Sequence, residues 1–117
     1  MEPPRPRDEA LIAQLRRGTL QFCVLALLGN EPRYAFDVVR SLGEVDGMVT
    51  SEGTIYPLLS RMRREGMVAS TWQESPSGPP RRYYELTDHG RASLHRFATE
   101  WRTFRDAVDQ LIPGGAA

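Results

Sequence analysis

The spacing of apolar positions changes several times along the chain, and each change marks an element. Leu11, Ile12 and Leu15 share one face of a short helix predicted over residues 8–17, which Gly18 breaks. Thr19 is a candidate N-cap for the next helix, LQFCVLALLGN, which is apolar nearly all round and so belongs at the centre of the domain. Gly29, Asn30, Glu31 and Pro32 end it. Residues 34–43 predict a third helix, with Tyr34, Val38 and Leu42 at four-residue spacing and Ala35 and Val39 alongside. After a loop comes SEGTIYPLLSRMRREG, residues 51–66, whose Ile55, Leu58, Leu59 and Met62 fall on one side of a fourth helix. Residues 67–73 and 82–86 read as two strands flanking ESPSGPPR, a turn-rich loop with three prolines. Residues 87–112 form one long helix, capped by Thr87 or Asp88, and a loose PGGAA tail follows.

This order predicts a mostly α fold with a small β-hairpin: a winged helix-turn-helix plus a long C-terminal dimerisation helix. The winged unit, with its N-terminal helical arm, spans residues 8–86 and the dimerisation helix residues 87–112. Residues 1–7, holding Pro3, Pro4 and Pro6, and residues 113–117 are expected to be disordered. Helix-turn-helix units place their second helix in the major groove of DNA, and here that helix is residues 51–66.

Its outer face fits such a role. Gly53, Tyr56, Pro57, Ser60, Arg61 and Arg64 lie opposite the apolar row, with Thr54 and Arg63 at the borders. Ser51 is placed to cap the helix, and amides at its start suit a phosphate. Gly53 permits close approach of the backbone. Tyr56 offers a ring and a hydroxyl, Thr54 and Ser60 are small donors for base edges, and Arg61 and Arg64 suit phosphates. Pro57 costs a helical hydrogen bond unless the helix starts late. On the wing, Pro76, Pro79 and Pro80 stiffen a tip that ends in Arg81 and Arg82, placed to grip a minor groove or phosphates. Trp72, Tyr83 and Tyr84 are expected to pack the hairpin, with only one of the two tyrosines facing inward. A solvated, arginine-bearing helix face is the competing interpretation of residues 51–66; the bulky tyrosine and the glycine favour contact with a partner.

Composition narrows this picture. With 117 residues and 40% hydrophobic content, one small folded domain is expected. The formal net charge is zero, so any nucleic-acid binding must come from local patches. All 15 basic residues are arginines, a bias that coding preference alone can produce. Cys23 is the sole cysteine, which excludes an internal disulfide and fits a reducing, cytoplasmic setting. The apolar run at residues 22–28 is too short to span a bilayer, and the proline-rich, charged start does not resemble a secretory leader. His89 and His95 are six residues apart, on different sides of a helix, and no metal constellation, phosphate loop or nucleophile arrangement is visible. No cofactor, metal or enzymatic activity is expected. Zero net charge best supports the alternative function, a winged-helix protein-interaction module without DNA binding.

Leu94, Phe97, Trp101, Phe104, Val108 and Leu111 are spaced 3, 4, 3, 4, 3, a heptad seam. One helix on so small a domain cannot bury that stripe alone. Burial against a second copy accounts for it, with Leu11, Ile12 and Leu15 of the arm joining the interface; packing against the chain's own arm is the alternative. A two-fold dimer sets two recognition helices on a palindrome.

The chain resembles the PadR family of transcriptional regulators. The segment SEGTIYPLLSRMRREGMV, residues 51–68, carries the family hallmark, and LRRGTLQFCVLALLG from Leu15, YAFDVVRSL from Tyr34 and RRYYELTDHGR from Arg81 match in order and spacing. Ala35 departs from the pattern, where the family often has glycine after tyrosine. The resemblance implies a cytoplasmic, homodimeric, non-enzymatic repressor with DNA contacts from Ser51, Gly53, Thr54, Tyr56 and Pro57. The single C-terminal helix is similar to the family's small subgroup, whose members respond to small molecules, often aromatic. In that subgroup a tryptophan near the place of Trp101 can line a cavity between protomers, so Phe97, Trp101 and Phe104 are the candidate effector pocket, although the residues by themselves favour plain seam core.

Overall fold

The computed structural model describes residues 8–114, so of the two tails expected to be disordered only Pro113 and Gly114 lie within the described residues. The elements run α1 (Glu9–Arg16), α2 (Leu20–Leu28), β1 (Arg33–Tyr34), α3 (Ala35–Gly43), α4 (Glu52–Arg64), β2 (Val68–Ser75), β3 (Gly78–Leu86) and α5 (Asp88–Leu111). Among the described residues, five helices and a three-stranded antiparallel sheet, ordered β1-β3-β2, make a winged helix with a long C-terminal helix.

The core lies where α2, α3, α4 and the root of the sheet converge. Val24, Leu25 and Leu28 of α2 meet Val38 and Leu42 of α3, Ile55, Leu59 and Met62 of α4, and Val68, Tyr84 and Leu86 of the sheet. The even apolar coating of α2 thus reflects neighbours on most sides. Arg33 ties the turn after α2 to α3: its Nε donates to the Leu27 carbonyl at 3.1 Å and a terminal nitrogen donates to Ser41 Oγ at 3.1 Å.

Two residues expected as side-chain caps are placed otherwise. Thr19 occupies the N-cap of α2, but its hydroxyl donates back to the carbonyls of Arg16 (2.9 Å) and Leu15 (3.3 Å), sealing the end of α1 instead. Ser51 occupies the N-cap of α4 without a side-chain cap bond, and its Oγ lies 3.3 Å from Thr54 Oγ1. Thr87 caps α5 as expected, accepting from the Gly90 N–H at 3.0 Å.

The wing is longer than the sequence suggests. Only Pro76 and Ser77 form its turn, and Pro79 and Pro80 lie within β3. Gln73 pairs with Arg81 and Ser75 with Gly78, so Glu74 faces two residues across a bulge. Prolines are tolerated there because β1 pairs with β3 only at Tyr83 and Tyr84, which leaves the far part of β3 without a neighbour on that side. The two-residue β1 is the strand that pattern alone did not indicate.

A compact knot joins α4 to α5. Gly66, at φ +78°, closes α4 with a Schellman motif in which the N–H of Met67 donates to the Met62 carbonyl and that of Gly66 to Arg63. The Thr87 hydroxyl donates to the Gly66 carbonyl at 2.6 Å and the Thr87 N–H to the Met67 carbonyl at 3.2 Å. Gly90 is buried directly on Met67, and a Cβ there would collide with the Met67 carbonyl. Because that obstacle is backbone, Gly90→Ala should destabilise the fold by about 1–3 kcal/mol. Thermal melting followed by circular dichroism should show the lowered midpoint.

Candidate nucleic-acid interface

The α4 helix presents two unlike faces. Ile55, Leu59 and Met62 have no exposed surface, while Ser51, Gly53, Thr54, Tyr56, Pro57, Arg61 and Arg64 are exposed and Ser60 is half-buried. The helix starts at Glu52, so Pro57 is inside it and has no N–H to offer the Gly53 carbonyl one turn back. A Cβ on Gly53 would meet only Ser51 Oγ, at 3.7 Å, so packing within the chain does not demand glycine there. Both residues weaken the helix without serving its core.

The outer face has two flanks. Tyr56 lies toward the sheet side; partial burial raises its phenol pKa, and Glu52, Tyr34 and Tyr84 add to the rise, so the hydroxyl stays protonated and able to donate at neutral pH. Thr54, Pro57, Arg61 and Arg64 lie toward α1 and α2. Arg61 is engaged within the chain, donating to Gln21 Oε1 at 3.1 Å and pairing with Glu65 at 3.4 Å.

At the wing, Arg81 lies over the Tyr34 ring at 4.7 Å and Arg82 over the Trp72 ring at 4.6 Å, while Arg82 also donates to Ser70 Oγ at 3.0 Å. These contacts hold both guanidiniums at the wing's base. Tyr84 is buried and Tyr83 rests beside Tyr34, ring centroids 5.7 Å apart, as strand alternation requires. Trp72 differs from expectation: it is 64% exposed and holds Arg82 rather than packing the hairpin interior.

The seam on α5 divides along its length. Leu94 and Phe97 are half-buried on their own chain, and the Phe97 ring stacks on Phe22 at 4.2 Å and 4°. Trp101 (41%), Phe104 (54%), Val108 and Leu111 (82%) are exposed, as are Leu11 and Leu15 (67%) of α1. Ile12, Leu15, Phe97, Trp101, Phe104 and Val108 line one open, mainly apolar cleft of ≈ 770 Å³ between α1 and α5. Trp101 stacks beside Phe97 at 5.9 Å and meets Phe104 edge-on at 6.5 Å. The arm faces the seam without covering it. Cys23 is half-buried with its Sγ 3.9 Å from Met48 Sδ, and burial raises its thiol pKa. No single helix among the described residues is long and apolar enough to cross a membrane.

Residues 24–96 match the model of the transcriptional regulator PadR-like family. The chain belongs to the PadR-like family. Family members are DNA-binding transcriptional regulators, not enzymes, and so is this chain. A PadR family regulator from Eggerthella lenta is 37% identical, with 87% of this chain and 88% of that chain covered at a TM-score of 0.79. A PadR-like regulator from Bacillus cereus is 35% identical, covering 86% and 98% at a TM-score of 0.77. An uncharacterised protein of Lysinibacillus sphaericus is 23% identical over 100 residues, 84% of this chain and 92% of that one.

In this PadR-like chain Gly53 and Pro57 are expected to lower helix stability. Gly53→Ala should raise stability by about 0.5–1 kcal/mol, and Pro57→Ala, which restores the bond to the Gly53 carbonyl, by about 1–3 kcal/mol. Urea unfolding of each variant checks both increases.

Proposed function

We propose that this PadR-like regulator acts as a cytoplasmic homodimeric repressor that inserts α4 of each protomer into the major groove of a palindromic operator. The observation that carries the reading is the composition of the outer face of α4. Gly53 and Pro57 weaken the helix, no packing among the described residues demands glycine at 53, and both sit beside Tyr56 and Thr54 on the exposed side. In the proposed complex Ser51 and the first amides of α4 meet a phosphate, and Gly53 and Pro57 allow close approach. Thr54, Tyr56 and Ser60 face base edges, and Arg61 and Arg64 face phosphates. Arg81 and Arg82 bring the wing base toward the flanking backbone or minor groove.

Dimerisation rests on the exposed stripe of Trp101, Phe104, Val108 and Leu111, which together with Leu11 and Leu15 forms an apolar surface a second copy would cover. Leu94, Phe97 and Ile12 border the same surface from their half-buried positions. The cleft between α1 and α5, with Phe97, Trp101 and Phe104 on its wall, is the proposed seat of a flat aromatic effector. An occupant there would change how the α5 helices pack, and so the separation of the two α4 helices.

Three experiments test this. A mobility-shift assay on the DNA upstream of the chain's own gene should show binding that weakens about tenfold to hundredfold with Tyr56→Ala, while Thr54→Ala relaxes sequence choice. Unchanged binding by both variants would remove α4 from the interface. Next, sedimentation equilibrium in a Trp72→Phe background should show a dimer that Phe104→Asp converts to monomer. In the same background, planar aromatic compounds should quench Trp101 fluorescence. A monomeric parent would end the dimer reading, and no quenching across a diverse panel would end the effector reading.

A further inference from the structure

On the flank of α4 away from Tyr56 lies a second cleft, also ≈ 770 Å³, between α4 and the junction of α1 with α2. Arg16 lines it from the last turn of α1, Arg17 from the C-cap that follows, Gln21 from α2, and Thr54, Arg61 and Arg64 from α4. Among the described residues no carboxylate lines it; Glu65 pairs with Arg61 at 3.4 Å. A chain with zero net charge thus brings four arginines of the described residues to the lining of one concavity. A cleft lined by one sign of charge focuses its field and raises the local concentration of counter-ions.

Arg16 is braced by donation to the Gly47 carbonyl at 3.1 Å, and Arg61 by Gln21 at 3.1 Å. Arg17 and Arg64 are exposed. An α-helix with its side chains is about 10–12 Å across and the major groove about 12 Å wide, so a helix in that groove has a phosphate ridge against each flank. On this flank the protein surface is the arginine cleft.

We infer that this cleft seats the phosphate backbone of one strand of the duplex. Arg16, Arg17 and Arg64 contact phosphate oxygens together with Arg61, and Gln21 is a positioning residue that aims the Arg61 guanidinium. The inference rests on the proposed entry of α4 into the major groove. It assigns Arg16, Arg17 and Gln21, on elements outside the helix-turn-helix pair and the wing, to the DNA footprint. Contacts of this kind add affinity without sequence choice.

The test is fluorescence anisotropy with two labelled duplexes of equal length, the upstream segment and a scrambled version, titrated between about 50 and 200 mM salt. Arg17→Gln and Arg64→Gln should each lower the slope of log affinity against log salt by about 0.9 on both duplexes. Gln21→Ala should lower the slope in the parent and leave it unchanged in an Arg61→Gln background, with the melting temperature unaltered in each. Tyr56→Ala should reduce affinity for the upstream duplex while keeping the slope. Retention of the full slope by both Arg17→Gln and Arg64→Gln, with Tyr56→Ala still weakening binding, overturns the cleft and leaves the α4 reading standing. Absence of binding to either duplex by the parent chain overturns both.

Discussion

The inner row of α4 fixes the rest of the molecule's geometry. Ile55, Leu59 and Met62 are sealed against α2, α3 and the root of the sheet, and no rotation of the helix could keep all three there while turning a different face outward. With one face immobilised, the other is relieved of any packing duty. That division explains how a glycine and a proline survive in a helix central to the fold. Their cost falls on the side where no neighbour from the chain depends on them, and the apolar row on the opposite side holds the helix in place.

Much of this was legible in the linear pattern, and the misses have physical causes. Helices α1, α3, α4 and α5 follow from apolar positions three and four residues apart and α2 from its continuous apolar run, with cap and breaker signals at their ends. A two-residue strand has no period, and β1 exists only through its pairing with Tyr83 and Tyr84 on β3. The wing's prolines suggest a loop, yet a bulge and an unpartnered strand edge let Pro79 and Pro80 remain extended. Thr19 and Ser51 are the right residue types at the right places, but residue type does not dictate which way a hydroxyl turns. The heptad spacing on α5 likewise cannot reveal that Phe22 takes up Phe97 and leaves the distal half bare.

The arginine cleft illustrates the opposite limit. Arg16 and Arg17 are far from Arg61 and Arg64 along the chain, and an overall charge of zero conceals their gathering. Folding sorts the charges that composition sums. The same short junction between α1 and α2 also borders the apolar cleft, since Arg16, Arg17 and Gly18 line both concavities. The arginine-lined and apolar clefts therefore share one wall, the end of α1 and the turn after it, and the core contribution of α1 is small: none of its residues is buried.

The knot of Gly66, Met67, Thr87 and Gly90 has a mechanical meaning as well. It clamps the foot of a rod of 24 residues, about 36 Å long at 1.5 Å per residue. Gly90 presses directly on backbone at the foot, and Phe97 stacks on Phe22 at 4.2 Å further along, so α5 is held at two places. The opposite end of the same clamp is the last turn of α4. The part of α5 beyond these two holds, from Trp101 to Leu111, carries the exposed stripe, which is thus cantilevered from the same core that positions α4.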